Sequence, residues 1–246
     1  MQPRPASTLA LLRDSDDGPQ VLLLQRTHQA VFMPGYYVFP GGAVDHHDLS
    51  LAADGARPAE LAANAMLGVE EGGLGYLVAA VRECFEEAGL LLARDGRGAW
   101  VDAAHPVLAA RHAVARGEAS LTVLCREHGL DLCLDRVAYL DHWVTPPGPP
   151  RRFDTRFFVA EAPPGQVPLH DGQETIDHCW LTPRQALADR RTGRRRFATP
   201  TTAVLHRLAG YDSVQAALAG GTACRLRRWA TTHPYCCPAK TAATRP

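Results

Sequence analysis

Ala79-Ala80-Val81-Arg82-Glu83-Cys84-Phe85-Glu86-Glu87-Ala88-Gly89-Leu90 decides how this chain is read. On a helix, residues at i, i+3 and i+4 share one face, so Glu83, Glu86 and Glu87 point the same way. Three carboxylates crowded on one surface repel each other unless a cation sits among them. Oxygen-only ligands of this kind suit Mg²⁺ or Mn²⁺, which bind few carboxylates and keep positions free for a substrate phosphate. Arg82 stands four residues before Glu86, close enough to pair with it and hold its rotamer. Gly89 is suited to end the helix in the left-handed cap conformation. No lysine balances the acids at i+4, as it would on an ordinary solvated face.

Upstream, Tyr37-Val38-Phe39-Pro40-Gly41-Gly42 reads as a short apolar strand entering a Gly-Gly turn, where backbone can approach a ligand closely. Taken together, Gly41-Gly42 and Arg82 to Leu90 resemble a Nudix box, G-x5-E-x7-R-E-U-x-E-E-x-G-U, with U a bulky apolar residue. The second half matches at every fixed position, with Cys84 at the first U. The first half departs from the pattern. Asp48 stands where the family has Glu, and 33 residues (49 to 81) stand where seven are expected, an insertion of 26.

A long insertion inside the box resembles the branch of Nudix hydrolases typified by the peroxisomal coenzyme A diphosphatase. Further matches to that branch are Phe39-Pro40-Gly41-Gly42-Ala43-Val44-Asp45, Arg152-Phe153-Asp154-Thr155-Arg156-Phe157-Phe158, and Glu174 six residues before Trp180. The resemblance runs from about residue 7 to about residue 219. It implies an α+β fold: a Nudix α/β/α sandwich with a mixed central sheet, a mostly helical insertion and C-terminal helices. It also implies hydrolysis of a diphosphate linkage in a nucleoside diphosphate derivative.

Size and composition fit one enzyme domain. A chain of 246 residues with 46% hydrophobic content can bury a full core. Lys+Arg and Asp+Glu both number 26, so no global field draws the chain to nucleic acid or membrane. All the basic residues except Lys240 are arginines, whose forks suit phosphate. Seven cysteines lack framework spacing, and with no signal peptide or long apolar run a reducing cytoplasm is expected. Adjacent Cys236 and Cys237 seldom chelate one ion and are read as bystanders.

Along the chain, strands are expected over Leu9 to Leu12 and Gln20 to Gln25, at Val38-Phe39, and over Val137 to Val144, Arg152 to Ala160 and Ile176 to Leu181. The insertion, about 49–78, carries a helix around Ala59 to Leu67, and the acids ride a helix from about Leu77 to Ala88. Pro106 to His128 reads as one or two helices broken near Gly117. Thr182-Pro183 and Thr199-Pro200 read as N-caps followed by proline, opening helices at Arg184 to Arg190 and Thr201 to Leu208. The domain is expected to span 1–225, with a C-terminal helical part at about 183–219 and a loose tail over 226–246.

Divalent ions held by Glu83, Glu86 and Glu87 would neutralise the diphosphate oxygens and lower the pKa of an attacking water. The family pattern adds the Gly41 carbonyl as a further ligand. Two acids can serve as the base: Glu87, and Glu174 in the loop Asp171-Gly172-Gln173-Glu174, which resembles a loop acid used by several family members. Arg26, Arg151, Arg152 and Arg156 are candidates for phosphate contacts, and Phe39, Phe153, Trp143 and Trp180 for stacking on a base. Arg194-Arg195-Arg196 reads as a solvated loop, and His46 and His47 as bystanders near the Gly-Gly turn.

Three functions remain open on sequence. The first is hydrolysis of coenzyme A or acyl-coenzyme A to 3′,5′-ADP and a 4′-phosphopantetheine product. The second is the same chemistry on ADP-ribose, NADH, a nucleotide sugar or a dinucleoside polyphosphate. The third is a nucleotide sensor without catalysis, which the full acid set argues against. The expected partner is a small nucleotide, without nucleic acid or membrane, and a homodimer is allowed for.

Overall fold

The computed structural model describes residues 2–50 and 57–223. The elements run β1 (Arg4–Arg13), β2 (Gln20–Arg26), β3 (Tyr37–Val38), β4 (Gly41–Ala43), α1 (Arg57–Leu67), α2 (Gly73–Ala88) and β5 (Ala93–Asp95). A 3-10 turn (Pro106–Ala110) leads to α3 (Arg111–Ala115), α4 (Leu121–Glu127), β6 (Leu130–Leu132), β7 (Ala138–Val144) and β8 (Phe153–Glu161). β9 (Thr175–Leu181), α5 (Pro183–Arg191), α6 (Thr199–Leu208) and α7 (Val214–Ala223) complete the described chain.

Seven strands form a mixed sheet in the order β3-β2-β1-β8-β7, with β4 also on β1 and β9 also on β2. β1 is the pivot. Its end pairs with β2 through Leu12 and Arg13, while Ala6, Ser7 and Thr8 pair antiparallel with Ala43, Gly42 and Gly41. Its other edge runs parallel to β8 from Arg4 to Leu12. That divergence opens room for the Gly-Gly segment in the middle of the sheet.

Both faces are covered, so the central strands run apolar rather than alternating. Leu9, Leu11, Leu22, Leu24 and Phe158 pack with α2 in one core. Ala10, Leu12, Val21, Leu23 and Val159 pack with α5, α6 and α7 in the other. Each fully buried Leu or Phe contributes about 1.5–3 kcal/mol relative to exposure. The result is the α/β/α sandwich with a mixed sheet that the resemblance implies.

The acid-bearing helix starts a turn earlier than expected, at Gly73, because the insertion docks on it. Glu60 of α1 accepts hydrogen bonds from the Gly72 and Leu74 amides at 2.6 and 3.0 Å, and Asn64 Oδ1 accepts from Gly73 N at 2.7 Å. These are orphan donors at a helix N-terminus, supplied here from a neighbouring helix. Glycine is required at the contact, since a Cβ on Gly73 would lie 2.6 Å from Asn64 N.

Of the two N-cap expectations, one holds and one is corrected. Thr182 does cap α5, in a full capping box with Gln185. Thr199, however, is already helical, and the cap position is Ala198. The β5–β6 pair has three residues per strand, too short to show a period. Among the described residues, no helix is long and apolar enough to cross a membrane. The tail over 226–246, with Cys236 and Cys237, lies outside the described residues.

Candidate metal centre and active site

The interrupted box closes around Arg82, which is 7% exposed. Its Nε and Nη2 donate to the two carboxylate oxygens of Asp48 at 2.9 and 3.0 Å. Nη1 donates to Glu83 Oε1 at 2.9 Å and Glu86 Oε1 at 3.0 Å, and Nη2 to the Ala43 carbonyl at 2.8 Å. All five N–H groups of the fork are thereby used. The ion pair expected between Arg82 and Glu86 is present, and Asp48 joins it from 34 residues away. Asp48 is 1% exposed and also accepts from the Asp45 amide at 2.9 Å. Residues 45–48 thus form a braced turn from which the insertion departs without disturbing the box.

Gly41 and Gly42 lie directly under the acids. The Gly41 amide donates to Glu87 Oε2 at 3.0 Å. A Cβ on Gly42 would lie 2.4 Å from Glu83 Oε1, so the missing side chain makes space for that carboxylate. At the helix end Gly89 adopts φ 70°, as expected for its cap, and its amide donates to Phe85 O.

Burial pushes the Glu83 carboxyl up to about 7, against the lowering effect of Arg82 and with the added repulsion of Glu86. Glu87 is raised well above the usual carboxylate range, first by burial and then by Glu83, while the Gly41 amide and Arg26 oppose this. Burial also raises Glu86, with Arg82 opposing. Burial alone would lower Arg82, but its bonds to Asp48 and the charges of Glu83 and Glu86 raise it instead. One guanidinium is insufficient for this many buried acids.

Among the described residues, no three acidic, histidine or cysteine side chains converge closely enough to enclose an ion as they stand. Glu83 and Glu86 face Arg82, and Glu87 faces the Gly41 amide. The donor set nevertheless fits a hard divalent cation: its side-chain donors are all carboxylate oxygens, it is held on one helix, and its charges are left under-compensated by burial.

Glu174 is exposed, in the loop before β9. Its carbonyl accepts from Thr27 N at 2.9 Å, and Asp171 Oδ1 shapes the loop by accepting from the amides of Gln173, Glu174 and Thr175. Glu174 lies close enough for its charge to raise Glu87, and Arg26 close enough to lower it. The structure therefore gathers Arg82, Glu83, Glu86, Glu87, Gly41, Glu174 and Arg26 in one region.

Other candidates sit elsewhere. Phe39 is 2% exposed and packs in the core on the sheet face opposite the acids, so it is not available to stack on a ligand. Strand alternation before Pro40 turns its ring away from α2. Arg152 lies in the β7–β8 connection, where Nε donates to Thr145 O. Arg156 is buried, paired with Asp154 and set over the Tyr76 ring. Trp143 is a core residue whose indole donates to Asp141. Arg195 and Arg196 are not freely solvated: they lie over Tyr37 and Tyr36, and the Arg196 carbonyl accepts from Tyr37 N. Sequence reasoning missed Glu60 and Asn64, whose partners lie 9 to 14 positions away on another helix.

The family model of the NUDT19 Nudix domain matches residues 57–208. The chain belongs to this Nudix family. It is 30% identical over 199 residues to putative nudix hydrolase 7 of Caenorhabditis elegans, covering 77% of this chain and 56% of that protein. It is 33% identical over 214 residues to the acyl-coenzyme A diphosphatase NUDT19 of Homo sapiens, covering 69% of this chain and 55% of that protein. The chain therefore spans little more than half the length of these relatives. Its fold matches the crystal structure of a NUDIX hydrolase from Alicyclobacillus acidocaldarius with a TM-score of 0.76 at 29% identity, over 89% of this chain and 96% of that one. An insertion inside the box, anchored at Asp48 and capping α2 through Glu60, is how this Nudix chain carries its acids.

Proposed function

We propose that this chain is a metal-dependent hydrolase of the diphosphate linkage in coenzyme A or acyl-coenzyme A, releasing 3′,5′-ADP and an (acyl-)4′-phosphopantetheine. The observation that carries the hydrolase reading is the reassembly of the split box: Asp48 meets Arg82, Glu87 stands buried over Gly41, and the part-buried Glu83 lies over Gly42. The substrate reading is supported by the relatives named acyl-coenzyme A diphosphatase.

Glu83, Glu86 and Glu87, with the Gly41 carbonyl, would hold Mg²⁺ or Mn²⁺. What such an ion supplies when bound is charge neutralisation at the diphosphate and a lower pKa for the attacking water. Arg82 keeps Glu83 and Glu86 in fixed rotamers, so little reorganisation is needed as charge develops. The Gly41 amide fixes Glu87. Glu174, on a shaped loop near enough for its charge to act on Glu87, would accept the proton of the attacking water. Arg26 contributes positive charge for the phosphate oxygens. A reducing cytoplasm is the proposed compartment; among the described residues Cys84, Cys125, Cys133 and Cys179 are free thiols.

The deciding experiment offers coenzyme A, an acyl-coenzyme A, ADP-ribose and NADH side by side, with Mg²⁺ and with Mn²⁺, and identifies products by mass. Release of 3′,5′-ADP from the coenzyme A substrates is expected. Efficient ADP-ribose cleavage with coenzyme A inert would overturn the substrate assignment. Metal binding without hydrolysis of any substrate would favour a sensor.

A further inference from the structure

Arg111 is the first residue of α3 and is buried, 7% exposed. Its Nε donates to the Glu86 carbonyl at 2.8 Å, so it holds the last turn of the acid-bearing helix. Its Nη1 packs over Gly89, 3.1 Å from where a Cβ would stand, with the Leu169 carbonyl beside the same point. Nη2 is buried without a partner among the described residues. Three of the four carbonyls at this end are thus divided: Phe85 O accepts from Gly89 N, Glu86 O from Arg111, and Ala88 O from Leu169 N at 2.8 Å. Leu169 opens the segment that leads to Asp171 and Glu174.

A cation at a helix C-terminus complements the helix dipole, which gives Arg111 a plain structural use. Its surroundings go further. The charges of Asp171 and Glu87 both act on Arg111, although burial is the larger influence on it. Asp171 is the residue whose Oδ1 collects the amides of Gln173, Glu174 and Thr175. The guanidinium therefore stands between the turn carrying Glu86 and Glu87 and the turn carrying Glu174. It touches neither the side-chain oxygens of the box acids nor Asp171, so it acts by fixing backbone and by charge.

Resting on the hydrolase reading above, we propose that Arg111 is a positioning residue for the hydrolytic step: it sets the Glu174 loop against the Glu86–Glu87 turn. Arg111→Met keeps apolar bulk and removes the fork. It should lower kcat by on the order of tenfold or more while KM stays within about threefold of the parent. Free guanidinium should restore part of the turnover of Arg111→Ala. In a Glu174→Gln background Arg111→Met should cost little more, because the two changes disable the same relationship. A full, multiplicative loss in that background would overturn the proposal.

Hydrogen exchange supplies a readout independent of any substrate. The amides of Gln173, Glu174 and Thr175 should exchange faster in Arg111→Met by on the order of tenfold, with β1 and β8 unchanged. Unchanged exchange at 173–175, or faster exchange throughout the domain, overturns the positioning role whatever the substrate proves to be. If Arg111→Met does not fold, Arg111→Gln, which keeps a donor near the Glu86 carbonyl and removes the charge, is held to the same exchange and kcat criteria.

Discussion

Asp48 and Arg82 form a two-point ion pair, at 2.9 and 3.0 Å, across the insertion that separates them in sequence. The pair does for the interrupted box what chain continuity does for an uninterrupted one. It fixes the arginine that in turn holds Glu83 and Glu86. Asp is the shorter acid, yet it reaches because the Asp45–Asp48 turn brings its backbone close, with Asp45 Oδ1 accepting from the His47 and Asp48 amides.

Removing one partner of a buried pair leaves the other charge uncompensated. Asp48→Asn should therefore destabilise by about 3 kcal/mol, the low end of the usual range because Arg82 keeps Glu83 and Glu86. Asp48→Glu should cost less, about 1–3 kcal/mol from crowding in a filled site. Urea unfolding of the three proteins checks the order. An Asp48→Asn protein as stable as the parent would show that the pair does not hold the box together.

Glu87 is the most deeply buried of the three helix acids, Glu83 is part-buried beside it, and each removes charge from the metal site when neutralised. Glu83→Gln and Glu87→Gln should each reduce turnover by on the order of 10²-fold or more. Steady-state assays at saturating Mg²⁺ measure this. Near-normal rates in both variants would refute the metal-centre assignment.

The two glycines of the turn should behave oppositely. A Cβ on Gly41 would lie 2.4 Å from the Ser7 carbonyl, which belongs to the sheet and cannot give way. A Cβ on Gly42 first meets the side-chain end of Glu83, 2.4 Å away, rather than backbone. Gly41→Ala should thus lose stability, about 1–3 kcal/mol from overpacking. Gly42→Ala should stay nearly as stable but lose most activity, because Glu83 is displaced. Thermal melts and rate assays on the same samples separate the cases; equal behaviour of the two would contradict this geometry.

What was legible in the sequence was what local spacing determines. The helix end with its acids, the Gly89 cap and the apolar strands β1, β2 and β8 were readable because each signal lies within a few residues. The box acids could be paired with Asp48 only by counting across the gap. Phe39 was misread because stacking potential was judged by residue type, whereas its direction depends on the strand's alternation. Arg111 left no signal: a single arginine within an expected helical stretch gives no hint that it will meet the Glu86 carbonyl. Arg195 and Arg196 look solvated as a run of charge, yet their guanidinium groups lie over Tyr37 and Tyr36 at the entry to β3.

The insertion contributes to the acid-bearing helix through Glu60. With both oxygens bonded to the amides of Gly72 and Leu74, Glu60 acts as a cap supplied from outside the helix. Its loss by Glu60→Ala should destabilise by about 1–2 kcal/mol, the range found for helix caps, with an added share from the dipole. The last two turns should be unaffected, so Mn²⁺ affinity should hold. A large fall in Mn²⁺ affinity without a change in stability would show that the insertion acts on the metal site by another route.

His178 on β9 provides a pH test whose sign is fixed by its surroundings. Its Nδ1 lies 3.2 Å from His170 Nδ1, and partial burial, followed by the charge of His170, lowers its pKa below the usual histidine value. The unfolded chain, with a histidine pKa of about 6.5, therefore binds more protons than the folded one as the medium becomes acidic. The stabilisation from a neutral His178 is complete above that pKa and is lost as pH falls through it. Raised carboxyl groups such as Glu83 slope the other way, so the useful quantity is the difference between the parent and His178→Gln. Unfolding free energies measured from about pH 7.5 to about pH 5.5 should show the parent losing stability relative to His178→Gln on the acid side. A difference that is flat, or that grows in the parent's favour with acid, would mean the two rings do not share this environment in solution.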